Sequence, residues 1–178
     1  TYVAVNNTLG GNQIGSSQAF IVQARSNNVS MSFTDGMKRN GNNSYLRTTP
    51  AYDELLTLDV TGNGFADRAY VAFGTTFTTG FDTEFDARKL MSKPNQPSLF
   101  VNDGSEIYSI FAQPSIVQVQ IVPVDFVAGT NGSFTIAADL SQFDPTAMIY
   151  LEDRLLGTMN NLRVDATYTF AADVNDAA

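Results

Sequence analysis

Carboxylates and their neighbouring amide and hydroxyl oxygens are the side chains of this sequence best placed to do chemistry. Aspartate and glutamate number 18 against 10 lysines and arginines, and there is neither histidine nor cysteine. Without histidine, the usual general base, the Ser-His-Asp and Cys-His nucleophile arrangements and nearly every catalytic zinc site are excluded. A hard cation, calcium first, is what such oxygens can hold. In 59–67 (D-V-T-G-N-G-F-A-D), Asp59, Thr61, Asn63 and Asp67 take the first, third, fifth and ninth positions of a calcium loop, with Gly64 at the sixth. An EF-hand places glutamate at the twelfth position, which here is Tyr70. The same residues therefore also read as a hairpin turn whose Asp and Asn fix the backbone. In 82–86, Asp82, Glu84 and Asp86 alternate. On extended backbone they share a face and could converge on a cation, while Arg88 and Lys89 beside them could neutralise the cluster instead.

Other chemistry finds less support. Glu152 and Asp153 are adjacent, so on a strand they point to opposite faces and cannot flank one glycosidic bond. No nucleophile or base assembly is visible, and the chain reads as a non-enzyme. The 13 Phe and 7 Tyr raise carbohydrate binding, because sugar rings stack on exposed aromatics, but Trp is absent and most of these aromatics alternate into a core. Tyr45, Tyr52 and Tyr108, near expected loops, are the candidate ligand-binding residues. A formal charge of −8 with a pI near 4.3 disfavours nucleic acid and anionic lipid. No apolar run reaches the roughly 18 residues of a membrane-spanning helix, so no membrane insertion is expected. Thr1 onward lacks the basic-then-apolar shape of a signal peptide, which suggests a mature product or an excised module.

The elements that position these residues are strands. Residues 54–60 alternate Leu56, Leu58 and Val60 against Leu55, Thr57 and Asp59, and 68–74 repeat the period with Ala69, Val71 and Phe73. Between them Gly62, Asn63 and Gly64 tolerate positive φ, which predicts an antiparallel hairpin. An opening strand over 2–5, a polar loop over 6–17 and a second hairpin from 19–24 and 29–33 precede it, with a long irregular connection over 35–50 between them. One short helical turn is expected near 83–91, ended by Pro94 and Pro97. Short strands follow at 99–101, 107–111, 133–139, 147–151, 155–158, 162–164 and 166–171. The strictly alternating 116–122 (I-V-Q-V-Q-I-V) has the clearest strand pattern of all. The whole predicts an all-β, antiparallel β-sandwich, jelly-roll-like, as a single domain over 1–178, long enough to bury roughly 70% of the surface of the unfolded chain.

The order of certain motifs adds a family. S-Q-A-F-I-V at 17–22, the segment 29–39, Y-L-R at 45–47, D-R-A-Y-V-A-F at 67–73 and G-F-D-T-E-F-D-A-R-K-L at 80–90 stand in series. They are followed by I-Y-S-I at 107–110, I-Y-L-E-D-R-L-L-G-T at 149–158 and Y-T-F-A-A at 168–172. Their order and spacing resemble the β-sandwich that precedes the C-terminal sorting domain of type IX secretion cargo in Bacteroidota, over most of the chain. The resemblance implies a non-catalytic sandwich at the cell surface or outside the cell, with a sorting signal following Ala178. The functional expectation is a structural or adhesive module that makes protein–protein contacts with neighbouring modules or subunits. The alternative is a carbohydrate-binding module, with glycan as partner and calcium as stabiliser. No cofactor is required by the first reading, and calcium is the candidate in the second.

Overall fold

The structure is a computed structural model and describes residues 22, 26–37 and 52–176. The chain divides into two compact units, Thr1–Thr49 and Pro50–Ala178. In the first, a turn at 26–28 places Asn28 at φ 60°, and Asp35–Met37 forms a single 3-10 turn closed by the Met37 N–H on the Thr34 carbonyl. The expected strand over 29–33 is not formed. Val29, Met31 and Phe33 are all more than half exposed. Alternation says that a segment fits a pleated surface, but a strand exists only where a ladder forms. The expected elements at 2–5 and 6–17, the expected strand at 19–24 apart from Val22, most of the 35–50 connection, and Tyr45 lie outside the described residues.

The second unit is all-β. Its strands are β1 (Glu54–Gly62), β2 (Phe65–Gly74), β3 (Ala87–Arg88), β4 (Ser98–Asn102), β5 (Ile107–Pro114), β6 (Val124–Val127), β7 (Gly132–Gln142), β8 (Tyr150–Asp153), β9 (Thr158–Asn161) and β10 (Thr167–Ala172). The predicted central hairpin is present and longer than its sequence boundaries. The β1–β2 ladder runs to Gly62 opposite Phe65, leaving Asn63 and Gly64 as a two-residue turn with φ of 51° and 79°. Positive φ at both central residues is the turn whose twist matches that of the strands it joins. β1 is also flanked by β7, and the main sheet runs β10-β7-β1-β2-β5-β4-β6, with β3 added on β5. β8 and β9 form a separate two-stranded ladder.

The sheet curls until its ends meet. Phe126 of β6 packs against Phe134 of β7 and Phe170 of β10, with ring centroids 4.9 and 5.1 Å apart and near-perpendicular to the second. Around this contact lie Leu58, Val60, Ala69, Leu99, Ala128 and Ile136, all buried. A second cluster, Val71, Phe73, Val101, Tyr108, Phe111 and Phe143, continues the interior along β2, β4 and β5. The opposite face around Ala72, Phe77 and Ala112 is covered by Tyr52, Leu55 and Phe85. The alternation read in β1 and β2 thus becomes the inside and outside of a sandwich.

The strands expected over 155–158 and 162–164 fall largely on turns, at 154–157 and 162–164, and three further expectations need correcting. One sheet pairing is parallel, β2 with β5, which a tight turn cannot make and the long 75–106 connection can. The helical turn falls at 82–86, where the N–H groups of Phe85 and Asp86 reach the Asp82 carbonyl, and Ala87 and Arg88 leave it to pair with β5. Residues 116–122 form no strand: the chain bends at 117–118, and Val117 and Val119 are 91% and 92% exposed. Pro114 and Pro123 bracket the segment, and none of the described strands extends the sheet alongside it.

Candidate functional site

The first acidic stretch is divided between partners. Asp59 and Arg68 stand opposite each other in the β1–β2 register, and the guanidinium donates to both carboxylate oxygens, at 2.5 and 2.9 Å. That hydrogen bonding is the chief cause raising the Arg68 pKa above its usual value. The Asn63 amide donates to Thr130 Oγ1 at 2.7 Å, across to the loop before β7. Asp67 accepts the Leu99 N–H at 2.7 Å and pairs with Lys89. Asp59, Asn63 and Asp67 thus hold separate contacts, while Thr61 lies opposite Ala66 near the end of the hairpin.

The second stretch folds into a turn, so Asp82, Glu84 and Asp86 do not lie along one extended face. Asp82 accepts from the Thr78 N–H and hydroxyl at 2.7 and 2.9 Å. Asp86 accepts the Asp82 N–H and, across to β5, the Ala112 N–H, both at 2.7 Å. Burial is the largest influence on Asp86 and raises its pKa, against the opposing pull of these two backbone donors. Glu84 is exposed. Arg88 lies over the Phe81 ring at 4.0 Å and donates to Glu106 at 3.0 Å. The block fastens the loop to β5 through backbone groups that would otherwise be left without partners.

The aromatic candidates are engaged as well. Tyr108 is 3% exposed, so it presents no stacking face to a sugar. Its ring packs on Phe111 and Phe81, and its hydroxyl donates to Asp103 at 2.7 Å. Burial raises the Tyr108 pKa first, and the Asp103 hydrogen bond adds to it. Burial would raise Asp103 in turn. The Tyr108 hydroxyl and the N–H groups of Glu106 and Ser105 outweigh it and hold the carboxylate below its ordinary range. Tyr52 is half-buried and donates to Gln142 at 2.7 Å. A shallow polar groove between β9 and β10 is lined by Thr158, Asn160, Asp165 and Tyr168. The Tyr168 hydroxyl there donates to Asp153 at 2.7 Å. Among the described residues, no three acidic side chains come together as a metal site.

Two features were not anticipated as functional. One is the Lys89–Asp67 pair, whose side chains are 3% and 18% exposed. Its signal was present in the motifs: Asp67 opens the D-R-A-Y-V-A-F strand and Lys89 is the fourth residue of the D-A-R-K-L block at 86–90. The other is the surface segment 116–122. Its residues 116–121 are exposed on both sides of the alternation, with two glutamines and no charge, in a chain of net charge −8.

Comparison with known proteins gives one family and one curated relative. The family model covering residues 2–177 is described as a domain of unknown function, DUF8693. The minor fimbrium subunit Mfa5 of Porphyromonas gingivalis is 28% identical over 123 residues, which is 68% of this chain and 10% of that protein. The chain therefore corresponds to about a tenth of the length of that relative. No solved structure matches. With nearly its whole length inside the family model, the chain belongs to the DUF8693 family.

Proposed function

We propose that this chain is a non-catalytic structural or adhesive module of a Bacteroidota cell-surface or secreted protein, which joins neighbouring modules or subunits through strand pairing. The similarity to a fimbrium subunit supports the surface and assembly parts of the reading. Export by the type IX route is part of the same reading and rests on the motif series at 67–73 and 80–90. The engagement of Asp59, Asp67, Asp82 and Asp86 in structural hydrogen bonds supports a non-catalytic role.

The observation that carries the proposal is the segment 116–122. It has strong β propensity, is bracketed by prolines, and among the described residues has no ladder partner. Such a segment can add a strand from another chain through its main-chain groups. Its pattern is nearly the same in both directions, I-V-Q-V-Q-I-V. Antiparallel pairing of two copies centred on Val119 would set Val119 on Val119, Gln118 across from Gln120 and Val117 across from Ile121. A second copy is accordingly the neighbour that fits best, through a two-fold contact. The bend at 117–118 straightens as the strand pairs.

Sedimentation velocity over about 1–100 µM tests this. Wild type is expected to pass from monomer to dimer. Val119→Lys places like charges directly opposite at the centre and is expected to stay monomeric with an unchanged unfolding temperature. A chain that is monomeric throughout, or a dimer indifferent to Val119→Lys, refutes strand pairing at this segment.

A further inference from the structure

The Lys89–Asp67 pair has the makings of a covalent cross-link. Asp67 sits in β2, opposite Val60 in the hairpin register. Lys89 follows β3, and its N–H is fixed on the Ile107 carbonyl at 2.8 Å. Both side chains therefore start from backbone that is already held. The Lys89 Nζ contacts Asp67 Oδ2, and the Leu99 N–H donates to that same oxygen at 2.7 Å. The lysine side chain is 3% exposed, so bulk water has little access to the amine.

We propose that Lys89 and Asp67 condense to an intramolecular isopeptide bond. The proton shared by the pair passes from Nζ to the carboxyl along the existing hydrogen bond, leaving a neutral amine and a neutral acid. The Nζ lone pair attacks Cγ, forming the N–C bond. The C–O bond then breaks, and the departing hydroxyl takes the second Nζ proton and leaves as water. Lysine and aspartate become one secondary amide plus one water, with no oxidant, reductant or co-reactant. The Leu99 N–H draws electron density from the carboxyl and holds it in place. Juxtaposition of two fixed groups supplies an effective concentration far above any bimolecular reaction, and a bond made once in the life of the molecule needs no fast catalyst. Condensation also removes two charges from a site where keeping them out of water is costly. In a chain without cysteine, the product would tie β2 to the segment leaving β3, at the point where the parallel β5 enters the sheet.

The test is the intact mass of the folded, purified chain measured under denaturing conditions, followed by tryptic mapping. Wild type is expected to be lighter than its sequence by one water, about 18 Da. Trypsin should no longer cut after Lys89, and the peptides bearing Asp67 and Lys89 should appear joined. Lys89→Arg, which keeps the cation, and Asp67→Ala should each have the full mass of their own sequences. If Asp67→Ala fails to fold, Lys89→Arg decides alone. A wild-type mass equal to its sequence overturns the proposal. So does a water loss that persists in Lys89→Arg, because cyclisation at Asp103-Gly104 has the same mass. Neither result depends on whether the chain dimerises.

Discussion

Phe134→Ala should be among the most damaging single substitutions in this protein. The Phe134 side chain is fully buried and is clasped by Phe126 at 4.9 Å and Phe170 at 6.2 Å between ring centroids. The three rings come from β7, β6 and β10, so they join the two ends of the curled sheet. Truncating a buried phenylalanine removes its transfer free energy and leaves a cavity, which together cost about 3–5 kcal/mol. Set against a total stability of about 5–15 kcal/mol, that is a large fraction. For a chain of this size it lowers the unfolding temperature by roughly 10 °C. Urea unfolding at pH 7, followed by circular dichroism, measures the loss. Phe126→Ala and the double variant complete a cycle in which the ring pair should show a coupling of about 0.5–1.5 kcal/mol. A loss below about 1 kcal/mol for Phe134→Ala, or strict additivity with Phe126→Ala, would refute the claim that this contact closes the sandwich.

Calcium and EDTA are expected to leave the unfolding temperature unchanged, because Asp59 is paired with Arg68 and Asp67 with Lys89. A rise with calcium that EDTA reverses would show that one of the acidic stretches rearranges around the ion. Asp103 gives an acid dependence: its folded pKa is lowered, so its stabilisation is present above the ordinary carboxylate pKa of about 3.9 and disappears as pH falls through the folded value. Asp103→Ala should lower the urea midpoint at pH 7 and flatten the decline between pH 4 and the acid limit, with unchanged slope in that window as the contrary result. Tyr108 gives the opposite flank. Its folded pKa is raised, so stability should decline as pH climbs past the unfolded tyrosine value of about 10, and Tyr108→Phe should lessen that decline.

Residues 54–74 were legible because their signals are local. The alternation of Leu56, Leu58 and Val60 and the positive-φ pair Asn63-Gly64 need no distant partner to be read, and the β1–β2 hairpin follows from them. The same period misled at 116–122, where the chain bends between two prolines and Val117 and Val119 face solvent. Alternation states what a segment would do beside another strand without saying whether one is there. The acidic stretches left two readings open in the sequence. Spacing along the sequence allowed convergence at 59–67 and 82–86, but the fold assigned Asp59 to Arg68, Asp67 to Lys89 and Asp86 to the Ala112 N–H.

By itself the sequence determined the fold class, the central hairpin, the exclusion of histidine and cysteine chemistry, and the net negative charge. These depend on composition and on periods of two residues, both of which are local properties of the chain. Only the tertiary structure decided the parallel β2–β5 pairing, the closure of the sheet through Phe126, Phe134 and Phe170, the burial of Tyr108, and the meeting of Lys89 with Asp67. Each of these joins residues far apart in the chain, and which distant groups meet is set by how the whole sheet curls, a property no local window of sequence contains.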